Sequence, residues 1–350
     1  MTHPGRLRAV AVLATGALLL SGCSAGDGQN GTGGGEPSAA ASSTGPETVK
    51  IAAGVDTQTR VLAHLYQQRL SADGVPATVV DVGSTRAEIF DALQDGRATM
   101  VPDFTGDLYV YARQHEVPAS QTTGASPTPA PSASADTDAP RGLLDSLGQL
   151  LGITGETGPS GDDVYRALPD VMPSGLEVLD SSGAQRTDQV VVTAATDAQY
   201  DLKSLDGAGK QCGKLAVGMP TDYADSAQGE PGLKAYYDCD PKAAPEYKST
   251  DELVNALLTD QVQAAVLRSS EPVIQDDGLA VLEDPNRLFR PEHAVVVGSE
   301  KLSDQAVSSV NAVTAELTTE DLTTITRLTG GEDPAMSPEK AATYLREQPR

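Results

Sequence analysis

VVDVGSTRAEIFDALQDGRATMVPDFTGD, residues 79–107, decides the fold. The run ATVVDVG (77–83) is short, apolar and β-branched, as a buried strand requires. Thr85 with Glu88 three residues later makes a capping-box pattern, and Ile89, Phe90 and Leu93 fall on one face of the helix it starts. ATMVPDF (98–104) is the next strand. Upstream, VKIAAG (49–54) reads as a strand, and residues 58–73 as a helix with Val61, Leu62, Leu65, Tyr66 and Leu70 on one stripe. Strand, helix, strand, helix, strand with short joins predicts a parallel α/β sheet.

Residues 116–142 interrupt that order. Their centre, ASQTTGASPTPAPSASADTDAP, has too few large apolar groups to build a core and is expected to be a disordered surface loop. Helical periodicity returns at 143–151. Further short apolar runs follow: VVVTAA (190–195), LAVGMP (215–220), AAVLRS (264–269), LAVLED (279–284) and AVVVGS (294–299). Ser249 and Glu252 cap a helix carrying Leu253, Leu257 and Leu258. Leu322, Ile325 and Leu328 share a helical face, and Ser337-Pro338 starts a last helix through Leu345. Two clusters of α/β units emerge, joined through VVVTAA, which suggests two lobes around a cleft.

The 350 residues carry 49 acidic and 25 basic side chains, a net charge of −24. A phosphate-neutralising surface needs the opposite sign, so no nucleic-acid partner is expected. No stretch reaches the roughly 18 apolar residues of a spanning helix, so the chain is not a channel or permease. At the N-terminus, Arg6 and Arg8 precede the apolar run AVAVLATGALLL (9–20), which has the length of a secretion-signal core. The run ends in Leu20-Ser21-Gly22-Cys23, which resembles a bacterial lipobox. That resemblance implies a signal peptide over 1–22 and diacylglyceryl transfer to Cys23. It also implies a lipid anchor to the outer face of the cytoplasmic membrane, with 23–48 as a flexible linker. Two other cysteines remain, Cys212 and Cys239. An even pair in an exported chain is a disulfide candidate; two buried thiols are the other reading.

The order of several segments resembles the substrate-binding proteins of ATP-driven (ABC-type) importers, in the glycine betaine, choline and osmoprotectant branch. GVDTQTRVLAHLYQQRL (54–70) resembles the opening strand-to-helix turn. Residues 79–107 resemble the glycine–threonine turn, its helix and the P-E-Y-T-G loop. GEPGLKAYY (229–237) and LAVLEDPNRLFRPEHAVVV (279–297) resemble parts of the second lobe and the late crossing between lobes. The resemblance implies a two-lobed, periplasmic-binding-protein-like α/β fold of type II. Lobe one would hold residues 49–188 and lobe two residues 189–298, with a return to lobe one over 299–350. It implies a monomer that closes on one small polar or quaternary-amine solute and docks on a membrane permease with its ATPase, without enzymatic chemistry or a cofactor.

The family holds quaternary ammonium groups between aromatic faces. Here the expected cage tyrosines fall at Phe104, near Gln189, at Leu267 and near His293. Asp103 keeps the carboxylate of the loop, and Asp107 stands where a small polar residue is usual. The candidate ligand contacts are Asp56, Gln58, Thr59, Ser84, Thr85, Asp103, Phe104, Asp107, Arg186, Gln189, Glu271 and His293. Most have a plainer reading. Asp56, Gln58, Thr59, Ser84 and Thr85 suit helix starts, Phe104 suits the core, and Arg186, His293 and the acids suit a solvated surface. There is no His-Glu-x-x-His zinc motif and no phosphate loop ending in Gly-Lys-Ser/Thr. No metal site is expected. Against transport stands a surface interaction or regulatory module that kept the fold; it predicts a shallow cleft and a broad exposed patch.

Overall fold

The computed structural model describes residues 48–115, 157–330 and 335–348. The signal peptide, Cys23, the linker to residue 47, the insert at 116–142 and the helix expected at 143–151 lie outside the described residues. Two five-stranded sheets carry the fold. The first contains β1 (Val49–Ala52), β2 (Ala77–Val80), β3 (Met100–Phe104), β4 (Leu176–Val178) and β10 (Ala294–Ser299). The second contains β5 (Asp188–Val192), β6 (Val217–Pro220), β7 (Glu246–Tyr247), β8 (Ala264–Arg268) and β9 (Ala280–Val281).

The strand orders, β2-β1-β3-β10-β4 and β7-β6-β8-β5-β9, follow one plan. In each sheet three parallel strands end against an antiparallel strand that has just crossed from the other lobe. The lobe boundary therefore moves from the sequence expectation. Val295 and Val296 pair with Asp103 and Pro102 of β3, so AVVVGS belongs to lobe one and the chain returns before Ala294 rather than after residue 298. Likewise β5 opens lobe two at Asp188.

The helices before the first crossing are α1 (Thr57–Ala72), α2 (Arg86–Gln94), α3 (Thr105–Gln114) and α4 (Gly161–Val171). Lobe two contributes α5 (Ala194–Tyr200), α6 (Leu205–Gly209), α7 (Glu230–Tyr237), α8 (Thr250–Leu258) and α9 (Val273–Asp276). After the return come α10 (Asp304–Glu316), α11 (Thr319–Thr329) and α12 (Pro338–Glu347). The stripe expected on α1 is buried throughout and packs on α10, α11 and α12. The Tyr66 hydroxyl shares a 2.9 Å hydrogen bond with Thr314. On α8, Leu253 and Leu257 are buried, whereas Leu258, one 100° step further round, is 49% exposed. In lobe two, Cys212 and Cys239 form a disulfide, with Cα atoms 5.2 Å apart.

The two crossings run antiparallel beside each other and form a hinge. Gln185 and His293 make an isolated bridge, Arg186 N–H donates to Glu292 O at 2.9 Å, and Ala294 N–H donates to Ala184 O at 3.1 Å.

Candidate functional site

The carboxyl ends of β1, β3, β6 and β8 face a common cleft, the place where open α/β sheets present loops to ligands. Asp56 caps α1 just beyond β1; its carboxylate accepts from Thr59 N–H, and the Thr59 hydroxyl accepts from Asp56 N–H in return. Thr59 is fully buried in that cap. Beyond β3, the T-G-D turn starts α3 and places Asp107 over the cleft. Gly106 is required there by close approach. A Cβ at this position would lie 2.6 Å from Glu292 Oε1 and 2.8 Å from the Pro291 carbonyl, so only glycine lets the second crossing pass.

An ionic network fills the cleft. Arg86 grips Asp103 with two bonds of 2.9 and 2.8 Å, a fork-to-carboxylate match. Asp107 is the hub: Arg290 donates to it at 3.2 Å and Arg86 at 3.5 Å, and Arg186 lies 3.8 Å away. Arg186, only 2% exposed, also bonds Asp56 and donates to Gln58 Oε1 at 3.3 Å. On the lobe-two side, Arg268 lies 3.9 Å from Asp188, which also accepts from the Tyr223 hydroxyl at 3.0 Å. Gln58 reaches across the cleft, donating to Ser270 Oγ at 3.1 Å.

Phe104 is fully buried in the lobe-one core, as its plainer reading had it, and its ring face is covered. The Arg186 guanidinium carbon lies 3.6 Å from the ring centroid, a cation–π stack made by the protein's own side chain.

Burial and charge set the protonation of these acids. Burial pushes Asp56 up, but Arg186 and the Thr59 N–H outweigh it and hold the carboxyl below its ordinary value. Asp107 is likewise buried yet held low by Arg290, Arg86 and Arg186. Asp188 is raised by burial, which Arg268 and Tyr223 only partly offset. Glu292 is pushed up to about 8 by burial and by the neighbouring Asp107 charge, against the pull of Arg290 and Arg186. Glu271 is raised by burial.

Three cavities follow the cleft. One of about 150 Å³ is lined wholly by polar groups, among them Asp107, Arg186, Asp188, Arg290 and Glu292. A second, about 410 Å³, shares Asp188, Tyr223 and Arg268 with it and adds Tyr247, Leu253 and Leu267. A third, about 280 Å³, runs past Asp56, Gln58, Glu271 and Thr326. Another, about 490 Å³, lies at the opposite ends of the lobe-one strands, around Val49, Pro76 and Thr99, and the ionic network does not reach it.

Of the residues singled out from sequence, Asp56, Gln58, Asp103, Phe104, Asp107 and Arg186 come together, and Glu271 lines two neighbouring cavities. Ser84 and Thr85 are exposed and serve the cap of α2, with Glu88 accepting from both backbone N–H groups. Gln189 and His293 each lie one position from the residue that lines the chamber, Asp188 and Glu292. Side chains alternate along extended chain, and His293 instead turns its Nδ1 to Ser182 O. Sequence reading also missed Arg86, Arg268, Arg290 and Tyr223. The scarcity of cations was the usable signal: Arg86 opens α2 and Arg268 ends β8, positions that face a cleft in this topology. Among the described residues, no group of three or more His, Cys, Asp or Glu side chains is arranged to hold a metal ion, and no helix is long and apolar enough to cross a membrane.

A family model described as the substrate-binding domain of an ABC-type glycine betaine transport system matches residues 47–347. No curated protein matches the chain. The chain is similar to a solved structure described as a glycine betaine/carnitine/choline ABC transporter. That likeness has 18% identity and a TM-score of 0.63, over 86% of this chain and 97% of the other. It is also similar to apo YehZ from Escherichia coli, with 17% identity and a TM-score of 0.58, over 86% of this chain and 98% of the other. These likenesses give the fold, the two-lobed type II binding-protein architecture that the segment order implied. With the family model spanning both lobes, the chain belongs to the substrate-binding domains of ABC-type glycine betaine transport systems.

Proposed function

We propose that this chain is an extracytoplasmic lipoprotein that captures one small polar solute between its lobes and delivers it to an ABC-type permease with its ATPase. The observation that carries this reading is the convergence of charged groups from both lobes and both hinge strands. Asp107 comes from lobe one, Arg268 and Asp188 from lobe two, and Arg186 and Glu292 from the crossings. A ligand that touches all of them favours closure, because those contacts exist together only when the lobes meet. The deep, polar cleft supports capture over a surface interaction module, which would need a flat exposed patch.

The similar structure's description raises glycine betaine, carnitine and choline as solutes. Around the chamber Arg186, Arg268 and Arg290 face Asp107 and Asp188, while the carboxyl of Glu292, pushed up to about 8, is protonated at neutral pH. The spare guanidinium charge supports a zwitterion with a carboxylate over a bare cation such as choline. Attachment through Cys23 is supported by the basic–apolar–LSGC order and would hold the body, as a monomer, near its permease.

Uptake in cells tests the reading. Deleting the chain should abolish saturable uptake of the bound solute. Cys23→Ala should leave binding intact, release the protein from the membrane fraction and cut uptake sharply. Unchanged uptake in the deletion strain would sink the transport role.

A further inference from the structure

The charged chamber makes a demand that a methylated-ammonium cage does not. Glu292 is 7% exposed, and its Oε2 has no hydrogen-bond partner among the described residues. Arg290 Nε is buried in the same condition, 3.9 Å from Glu292 Oε1. Both side chains line the 150 Å³ chamber. An unpaired buried acceptor calls for an N–H or O–H, and an unpaired buried donor calls for an oxygen. A trimethylated ammonium has no hydrogen to give. Its preferred surface, an aromatic face, is covered at Phe104 by Arg186, which leaves Tyr223, among the described residues, as the one aromatic side chain lining the chamber, too few faces for a cage.

Resting on the solute-capture reading above, we infer that the chamber selects amino-carboxylates that retain an N–H, with Glu292 receiving the N–H and Arg290 the carboxylate, over their permethylated betaines. The adjoining cavity, walled by Tyr247, Leu253 and Leu267, gives an apolar substituent on the solute somewhere to go. The protonation of Glu292 fits. With its carboxyl pushed up to about 8, it holds a proton at neutral pH, and an arriving ammonium favours the ionised form. Binding then releases a proton.

Calorimetry on the full-length protein in detergent, refolded to strip carried-over solute, tests this at pH 7 with two methylation series. One is sarcosine, dimethylglycine and glycine betaine; the other is proline and proline betaine. The expected result is that N–H members bind at least about tenfold tighter than the betaine of their series, since a site built to hydrogen-bond rejects the analogue lacking the donor. Titrations of the wild-type protein in two buffers of different ionisation heat should also show proton release. Glu292→Gln, checked for a native unfolding transition, should shrink the ratio within each series. Equal or tighter binding of either betaine overturns the inference and leaves solute capture standing. No binding by any member overturns the inference, and if uptake is also unchanged on deletion, it takes the capture reading with it.

Discussion

Glu292 is packed among Asp107, Arg290, Arg186, Arg86 and Arg268, with the Asp107 N–H pointing at it, and burial outweighs the cations. In the unfolded chain its carboxyl ionises near 4.5; in the fold it does so at about 8. Between those values the folded state keeps a proton that the unfolded chain has lost. Its contribution to stability is therefore full below pH 4.5, falls as the pH rises towards 8 and levels off beyond. Glu292→Gln keeps the shape and removes the titration. Relative to wild type, the variant should gain stability steadily from pH 5 to pH 8 in urea unfolding series; parallel pH profiles would contradict this. The same residue shows where sequence reading stopped. Asp103, Phe104 and Asp107 were legible because they lie in one contiguous stretch where β3 passes directly into α3. Glu292 and Asp188 were passed over for His293 and Gln189 because a one-residue step decides which side of an extended crossing a side chain takes, and no local pattern marks that step.

Among the elements, those set by short-range chemistry were read most directly. The Thr85–Glu88 and Ser249–Glu252 caps and strands β1 to β3 formed where capping residues and β-branched runs placed them. The lobe of AVVVGS was not legible. Its partner β3 is nearly two hundred residues away, and an apolar run carries no record of which sheet it joins. The bridge between Cys212 and Cys239 ties the chain entering β6 to the chain leaving α7, and both sulfurs are buried. It closes a separation of 27 residues, which in the loop-entropy account stabilises by about 3.5 kcal/mol. A Cys212→Ser/Cys239→Ser double variant should unfold at lower denaturant concentration by about that amount. Hydrogen exchange should quicken in lobe two, while α1 and α12 are little affected. An unchanged midpoint would show that the bridge does not hold the lobe.

Across the whole molecule, the two crossings give the lobes different histories. All five strands of the second sheet and its disulfide come from one uninterrupted stretch, 188–281. The first sheet lacks its fourth strand until Ala294–Ser299 has been made, and α1 stays uncovered until α10, α11 and α12 arrive. A chain emerging from its N-terminus therefore presents its first lobe early but completes it last. The later-made lobe can close ahead of it, because its contacts span shorter separations. Chains truncated after residue 293 should show a protease-resistant fragment covering 188–281, with α1 and α2 readily cleaved; equal resistance in both regions would refute that order. A chain of this design therefore carries the apolar stripe of Val61, Leu65, Tyr66 and Leu70 as an adhesive face through most of its synthesis, shut away only when α10, α11 and α12 are made.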